Sequence, residues 1–445
     1  MRRTLAAAAA ALCLIGGVAA ADVDLERWQK LSDAGIAQAD KGDYAAAEVS
    51  LRQAYDVAKE MREADPRRAA TANNLGFVLH AEGRPQDALP LYQESLSLRE
   101  AALGPDHPSV AQSLSNEAEA LRALGRAAEA EPLARRALAI RQAALGPEHP
   151  ETAQSLNNLG VLLAELGRFE EAERDEQQAL DIRQKAFGPE HAAVTETKGN
   201  MAALAYARGR ADEAERLYRE VLASDEKRLP ADDPALALTL ANLGQTIARQ
   251  GRPADAVPPL ERALALREQR LGPDSPATAQ SRHDLAAALA AAGQLERAHS
   301  LLEACLATRE RTAGPDSPEV AATLADLAEV LRRRDQPAAA DPLLARAVAT
   351  LEKTGGDGRA LATALNNLAA LRFREGAYRD AEPMLARALQ LEEKAAGPDD
   401  PELAVTLDNY AAVLTALERG PEADAARHRA MAIRTAQAQR QTVRP

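Results

Sequence analysis

The chain has 445 residues, 46% of them hydrophobic but only 3% aromatic, and a formal net charge of −13. So few rings argue against large aromatic cores and leave alanine to fill the contacts between elements. So acidic a balance argues against a phosphate backbone as partner, and no nucleic acid is expected.

The first element is a targeting segment. Arg2 and Arg3 precede an apolar run from Leu5 to Val18, and Ala19, Ala20 and Ala21 stand before Asp22. That order predicts a signal peptide over residues 1–21, cut after Ala20 or Ala21, and a bacterial protein that is periplasmic or secreted. The run is too short for a stable span, so no transmembrane anchor is expected after cleavage. Cys13 lies inside it, but Leu12 is a poor residue before a lipidated cysteine and the run continues past it. Losing Arg2 and Arg3 moves the net charge to about −15 and leaves Cys305 as the remaining thiol, so no intramolecular disulfide is expected.

From residue 22 to about 437 the chain repeats itself, with 438–445 as a tail. Gly104-Pro105-Asp106-His107-Pro108 returns as Gly146-Pro147-Glu148-His149-Pro150, and again from Gly188, Gly272, Gly314 and Gly397. The spacing is 42 residues, with one step of 41. A second mark, Gly83-Arg84, returns out of phase at Gly125, Gly167, Gly209 and Gly251, and Asp335 and Glu418 stand in equivalent places. Two punctuation points per unit predict two helices per unit. Glycine past a helix end accepts the left-handed conformation, and proline pre-sets the first turn of the next helix.

Two columns are restricted to the smallest side chains. One begins Gly35, Gly76, Ala118, Gly160 and ends at Ala411; the other begins Ala47, Ala88, Ala130 and ends at Ala423. Such positions mark close approach of two helix backbones, where larger groups overpack. Ahead of the first column stands a mostly apolar one that includes Leu75, Leu159, Leu243 and Leu327, the expected buried knob. Glu117 breaks that column and needs either a partner, from Arg122 or a neighbouring helix, or a raised pKa, unless this repeat is locally loose. Pro90, Pro132, Pro258, Pro342 and Pro383 share a column a few residues into the second helix. Either that helix starts late or it bends there.

The phrases Leu156-Asn157-Asn158-Leu159-Gly160, Gly167-Arg168-Phe169-Glu170-Glu171-Ala172 and Gly188-Pro189-Glu190-His191 resemble the tetratricopeptide repeat, in the 42-residue variant of kinesin light chains. The resemblance covers about ten helix pairs, from about Trp28 to about Thr435. It implies an all-α fold, a right-handed superhelical solenoid of about ten antiparallel helix pairs, with no room left for a catalytic domain. It implies a non-catalytic scaffold or adaptor that takes a protein or peptide in its concave groove, without cofactor or metal. A structural subunit of a cell-envelope assembly or secretion complex is the alternative.

One polar column carries the candidate site. Asn74, Asn116, Asn158, Asn200, Asn242, Asn367 and Asn409 stand on the first helices, joined by Asp33, Asp284 and Asp326. Asparagine is a mediocre helix former, so its recurrence needs a reason. The resemblance implies a groove ladder whose amides donate to and accept from a peptide backbone. Bonds that stabilise the stack of repeats are the other reading. Arg122, Arg249, Arg332, Arg333 and Arg374 are expected on the same face, where guanidinium forks would suit an acidic ligand segment. His107, His149 and His191 lie a whole repeat apart and are read as loop caps, because metal ligands must converge on one ion. Cys305 shares a small-residue column and is read as a buried apolar group.

Overall fold

The computed structural model describes residues 24–355 and 358–442. The expected signal peptide, with Cys13, lies outside the described residues. Among the described residues there are twenty helices and no strand. In chain order they are α1 (Leu25–Asp40), α2 (Tyr44–Lys59), α3 (Pro66–Ala81), α4 (Pro85–Leu103), α5 (Pro108–Ala123), α6 (Ala127–Leu145), α7 (Pro150–Glu165), α8 (Phe169–Phe187), α9 (Ala192–Ala207) and α10 (Ala211–Arg228). They continue as α11 (Pro234–Arg249), α12 (Pro253–Leu271), α13 (Pro276–Ala291), α14 (Leu295–Thr312), α15 (Pro318–Arg333), α16 (Pro337–Thr354), α17 (Gly358–Arg374), α18 (Tyr378–Ala396), α19 (Leu403–Ala416) and α20 (Gly420–Thr442). The last helix therefore runs into the segment expected to be a tail. The helices form a solenoid of antiparallel pairs, which divides into a unit ending at Ser224 and a unit beginning at Asp225.

Local chemistry sets the helix ends. Proline occupies the first turn of α3, α5, α7, α11, α13 and α15. The residue before it caps the helix: Asp233 accepts from the Ala235 N–H at 2.9 Å. His107 and His149 do the same through Nδ1, at 3.1 and 3.2 Å, and His191 caps α9 in the same way ahead of Ala192, at 3.2 Å. The first helices end in a Schellman motif. At the end of α3 the Gly83 N–H reaches the His80 carbonyl and the Arg84 N–H reaches that of Leu79. The second helices end differently. Gly104 has φ 85° and ψ 159°, a conformation open in practice to glycine alone.

The recurrent proline falls inside the second helix, which starts on time at Pro85, Ala127, Pro253, Pro337 and Tyr378. The late-start reading is thereby excluded. All five prolines of the column lie on the exposed side, so the carbonyl each one orphans faces water.

Packing follows the small-residue columns. Every member of the alanine column from Ala47 to Ala423 is fully buried. A Cβ added at Gly244 would stand 2.5 Å from Leu260 Cγ and 3.3 Å from the Ala256 carbonyl oxygen, so the two helices of a pair approach to backbone contact. Neighbouring pairs are joined by buried arginines on the second helices. Arg99 Nη1 donates to Ser113 Oγ at 3.0 Å, Arg141 to Ser155 at 2.6 Å and Arg183 to Thr197 at 2.6 Å. In the second unit Arg267 reaches Ser281 at 2.7 Å and Arg309 reaches Thr323 at 2.8 Å. Burial with neutral partners pushes the Arg99 guanidinium down to about 10. Where the column holds Leu351, the hydroxyl position holds Ala364, and both are buried in one apolar cluster. Polar pairs with polar and apolar with apolar, as burial requires.

Candidate peptide-binding face

Within each unit, consecutive first helices touch one another: α3 meets α5 and α5 meets α7, and in the second unit α13 meets α15 and α15 meets α17. Among the described residues consecutive second helices do not approach backbone to backbone and meet instead through ion pairs such as Arg136 to Glu100. The first helices therefore make the inner face of each unit, and the asparagine column lies along it.

The structure sorts that column into two groups. Asn116 Nδ2 donates to Asn73 Oδ1 at 2.8 Å, Asn200 to Asn157 at 3.1 Å and Asn409 to Asn366 at 2.9 Å. Each of these bonds crosses from one repeat to the preceding one. Asn158 accepts from Gln154 on its own helix at 2.7 Å, and the carboxylate of Asp284 accepts from Gln245 of the preceding repeat at 2.9 Å. Asn74, Asn242 and Asn367 are half-buried on the same face and make no side-chain hydrogen bond to a described residue. The first group stitches the stack, and the second holds amides aimed at the inner face.

The five arginines divide as well. Arg122 is held by Glu119 at 2.6 Å and by Glu165 of the next repeat at 2.7 Å. These carboxylates push its pKa up and occupy its fork. Arg332 is held by Glu329 at 2.7 Å, and Arg249 is engaged with its neighbours. Arg333 is exposed, and Arg374 stands 3.9 Å from the nearest carboxylate, that of Asp335. Both belong to the second unit. They occupy equivalent positions in adjacent repeats.

Glu117 is buried, and its partner is Gln93 of α4 at 3.1 Å rather than Arg122. Its Oε2 has no hydrogen-bond partner, and burial raises its pKa. Cys305 is buried, and its thiol pKa is pushed up by the same cause. No cluster of three or more metal-ligating side chains occurs among the described residues. On the inner face Ser115, Glu119, Ser155 and Asn158 line a cavity of about 10 Å³, the room of about one water, where Ala134 leaves space. Sequence reasoning missed the arginine–hydroxyl clamps. Their signal was the recurrence of Arg99, Arg141, Arg183, Arg267 and Arg309, each 14 residues before a serine or threonine.

A tetratricopeptide-repeat family model matches residues 67–143, 109–185, 177–227, 235–311 and 360–436, and a second model of the same repeat matches 320–358. Among solved structures, the apo quorum sensor NprR of B. thuringiensis is 14% identical over 82% of this chain and 98% of that one, with a TM-score of 0.60. The apo form of RapI is 14% identical, over 64% of this chain and 98% of that one, at a TM-score of 0.50. These two show likeness of fold. The TPR-like repeats named for a kinesin light chain of Podosopora anserina are 28% identical over 46% of this chain and 98% of that one, at a TM-score of 0.42. No curated protein matches the chain.

Proposed function

Because the chain belongs to the tetratricopeptide-repeat family, whose fold is generally a non-catalytic protein-interaction scaffold, we propose that it is an exported adaptor that takes a peptide segment of a partner protein along the inner face of its first helices. The observation that carries this reading is the set of half-buried, unengaged amides of Asn74, Asn242 and Asn367. An amide that no other side chain of the fold engages is free to bond a partner outside it, and each neutral hydrogen bond so made is worth about 0.5–1.5 kcal/mol. A peptide backbone offers the complementary donor and acceptor. Arg333 adds a fork that the protein's own carboxylates leave open, and Arg374 one held only at 3.9 Å by the exposed Asp335, which favours an acidic segment at the second unit.

The two groups of asparagines make the proposal testable. Changing Asn242 and Asn367 to Ala should leave melting unchanged, since no internal bond is lost and alanine is the better helix former. Loss of two neutral hydrogen bonds, each worth about 0.5–1.5 kcal/mol, should reduce retention of a bound partner about five-fold to a hundred-fold. Changing Asn116 and Asn200 instead should lower the melting temperature. Affinity capture from an envelope extract, with calorimetry on the same preparations, reads both. Equal capture by wild type and the Asn242/Asn367 variant would overturn the groove reading.

A further inference from the structure

Each second helix presents one side chain to the glycine or alanine column of its partner helix. In sequence order these residues include Leu51, Tyr92, Leu260, Leu302, Leu344 and Leu385, all buried. In the α7/α8 pair the residue is Glu176. It is 1% exposed, and its Oε2 has no hydrogen-bond partner. It lies so close to the α7 backbone that a Cβ on Gly160 would stand 2.6 Å from its Cγ. A carboxylate has therefore been placed where the fold wants a hydrocarbon.

From this placement we infer that Glu176 is a protonation-controlled latch: neutral, it seals α8 against α7; ionised, it opens that pair. The surroundings offer no counter-charge to hold the ionised form. On α8 itself Glu173 and Asp175 lie close and repel it. The helices packed against α8 are α7 and α9. Their charged groups are engaged elsewhere or carry the same sign: Glu151 pairs with Arg141, Glu165 with Arg122 and Lys198 with Glu220, Glu196 is exposed, and Arg208, just past α9, is held by Glu170 and Glu173. None of them hydrogen-bonds Oε2. An ionised Glu176 can be hydrated only if the two helices part.

Burial first, then Asp175 and Glu173, pushes the group up to about 8 from its ordinary 4.5. The folded state thus holds this proton more tightly than the unfolded chain does. The contribution of Glu176 to stability is full below its unfolded pKa and is lost as pH rises towards the folded one. The consequence is local, because repeats contact only their neighbours. It includes the seam to the next pair, since Asn157 on α7 accepts from Arg183, Thr197 and Asn200 at 3.2, 3.1 and 3.1 Å. The latch is a property of the fold and holds whatever the inner face binds.

The test is amide exchange on the full chain at about pH 6 and about pH 9, read as protection factors so that intrinsic exchange cancels. Protection across α7 and α8 should fall about ten-fold or more over that range in the wild type while α13 to α16 stay level. Glu176→Leu, which installs the side chain found in other repeats, should keep α7 and α8 protected at both values. Glu176→Gln keeps the shape without the charge and should be equally flat, while Asp175→Asn should retain the wild-type fall. A flat wild-type profile, or a fall that persists in both Glu176 variants, would overturn the latch.

Discussion

Asp335 and Glu418 sit past the ends of α15 and α19 with φ of 60° and 62°, a conformation that eight other repeats give to glycine at the same place. Each makes the hydrogen bond of the motif, from Asp335 N–H to the Arg332 carbonyl and from Glu418 N–H to that of Thr415. The strain is therefore local to the Cβ, about 1–2 kcal/mol for an L-residue in this region. Glu418→Gly should relieve it, less the entropy that glycine adds to the unfolded chain, for a net gain of about 0.5–1 kcal/mol. Urea unfolding should show a higher midpoint with an unchanged slope; a lower midpoint would show that the side chain does something for the fold that the structure does not reveal. The two glycine marks also differ in kind. At Gly104, with ψ 159°, no such substitute is expected, because the extended positive-φ region admits glycine alone.

At the scale of helices, the stack is held by pairs of positions rather than by single residues. Arg309 on α14 donates to Thr323 Oγ1 and to the Glu319 carbonyl of α15, and the next interface replaces this clamp by Leu351 and Ala364. A buried cation with neutral partners is a costly solution, and an apolar pair of matching shape is no worse. Arg309→Leu alone should cost about 1–3 kcal/mol, since the buried Thr323 hydroxyl loses its donor and keeps only its own bond to the Glu319 carbonyl at 2.8 Å. Adding Thr323→Ala should recover more than half of that loss, and a double-mutant cycle measures the coupling. Purely additive losses would show that the clamp is two independent contacts. Ion pairs spanning one repeat run outside these clamps, for example Arg136 to Glu100 and Arg346 to Glu310, both at 2.6 Å. Being exposed, they are worth less than about 1 kcal/mol each.

For the molecule as a whole, the repeat leaves function to a surface rather than a pocket. Quasi-one-dimensional stacking buries each pair against its neighbours and exposes one continuous inner face per unit. No helix among the described residues is long and apolar enough to cross a membrane. The export proposal rests on Arg2, Arg3, the apolar run and the alanines before Asp22. Expressed with its full leader in a bacterial host, the protein should be recovered outside the cytoplasm with Ala21 or Asp22 at its N-terminus by mass spectrometry. Recovery with Met1 intact, or with a lipid on Cys13, would overturn it.

Repeat length, helix pairing, caps and the small-residue columns are legible in the amino-acid sequence because each is a local or periodic constraint. A glycine at positive φ, a proline in a first turn and an alanine at a helix crossing impose the same residue on every turn of the repeat, so ten copies make the pattern plain. The fate of each polar side chain is not local. Asn200 and Asn242 are identical in the column, yet Asn200 reaches back to Asn157 while Asn242 makes no internal bond. The difference lies 43 residues earlier, where Asn157 offers an acceptor and Gly199 offers no side chain. The proline column likewise allowed two readings until the starts of the second helices were known, and Glu117 allowed Arg122 until Gln93 proved nearer. The sequence by itself determined where helices begin, end and cross, since backbone conformation and contact distance act on each residue directly. Which amides stitch the stack, which remain open, and where a carboxylate is sealed from water were decided by the tertiary structure alone, because hydrogen bonding and desolvation depend on partners that only packing brings within reach.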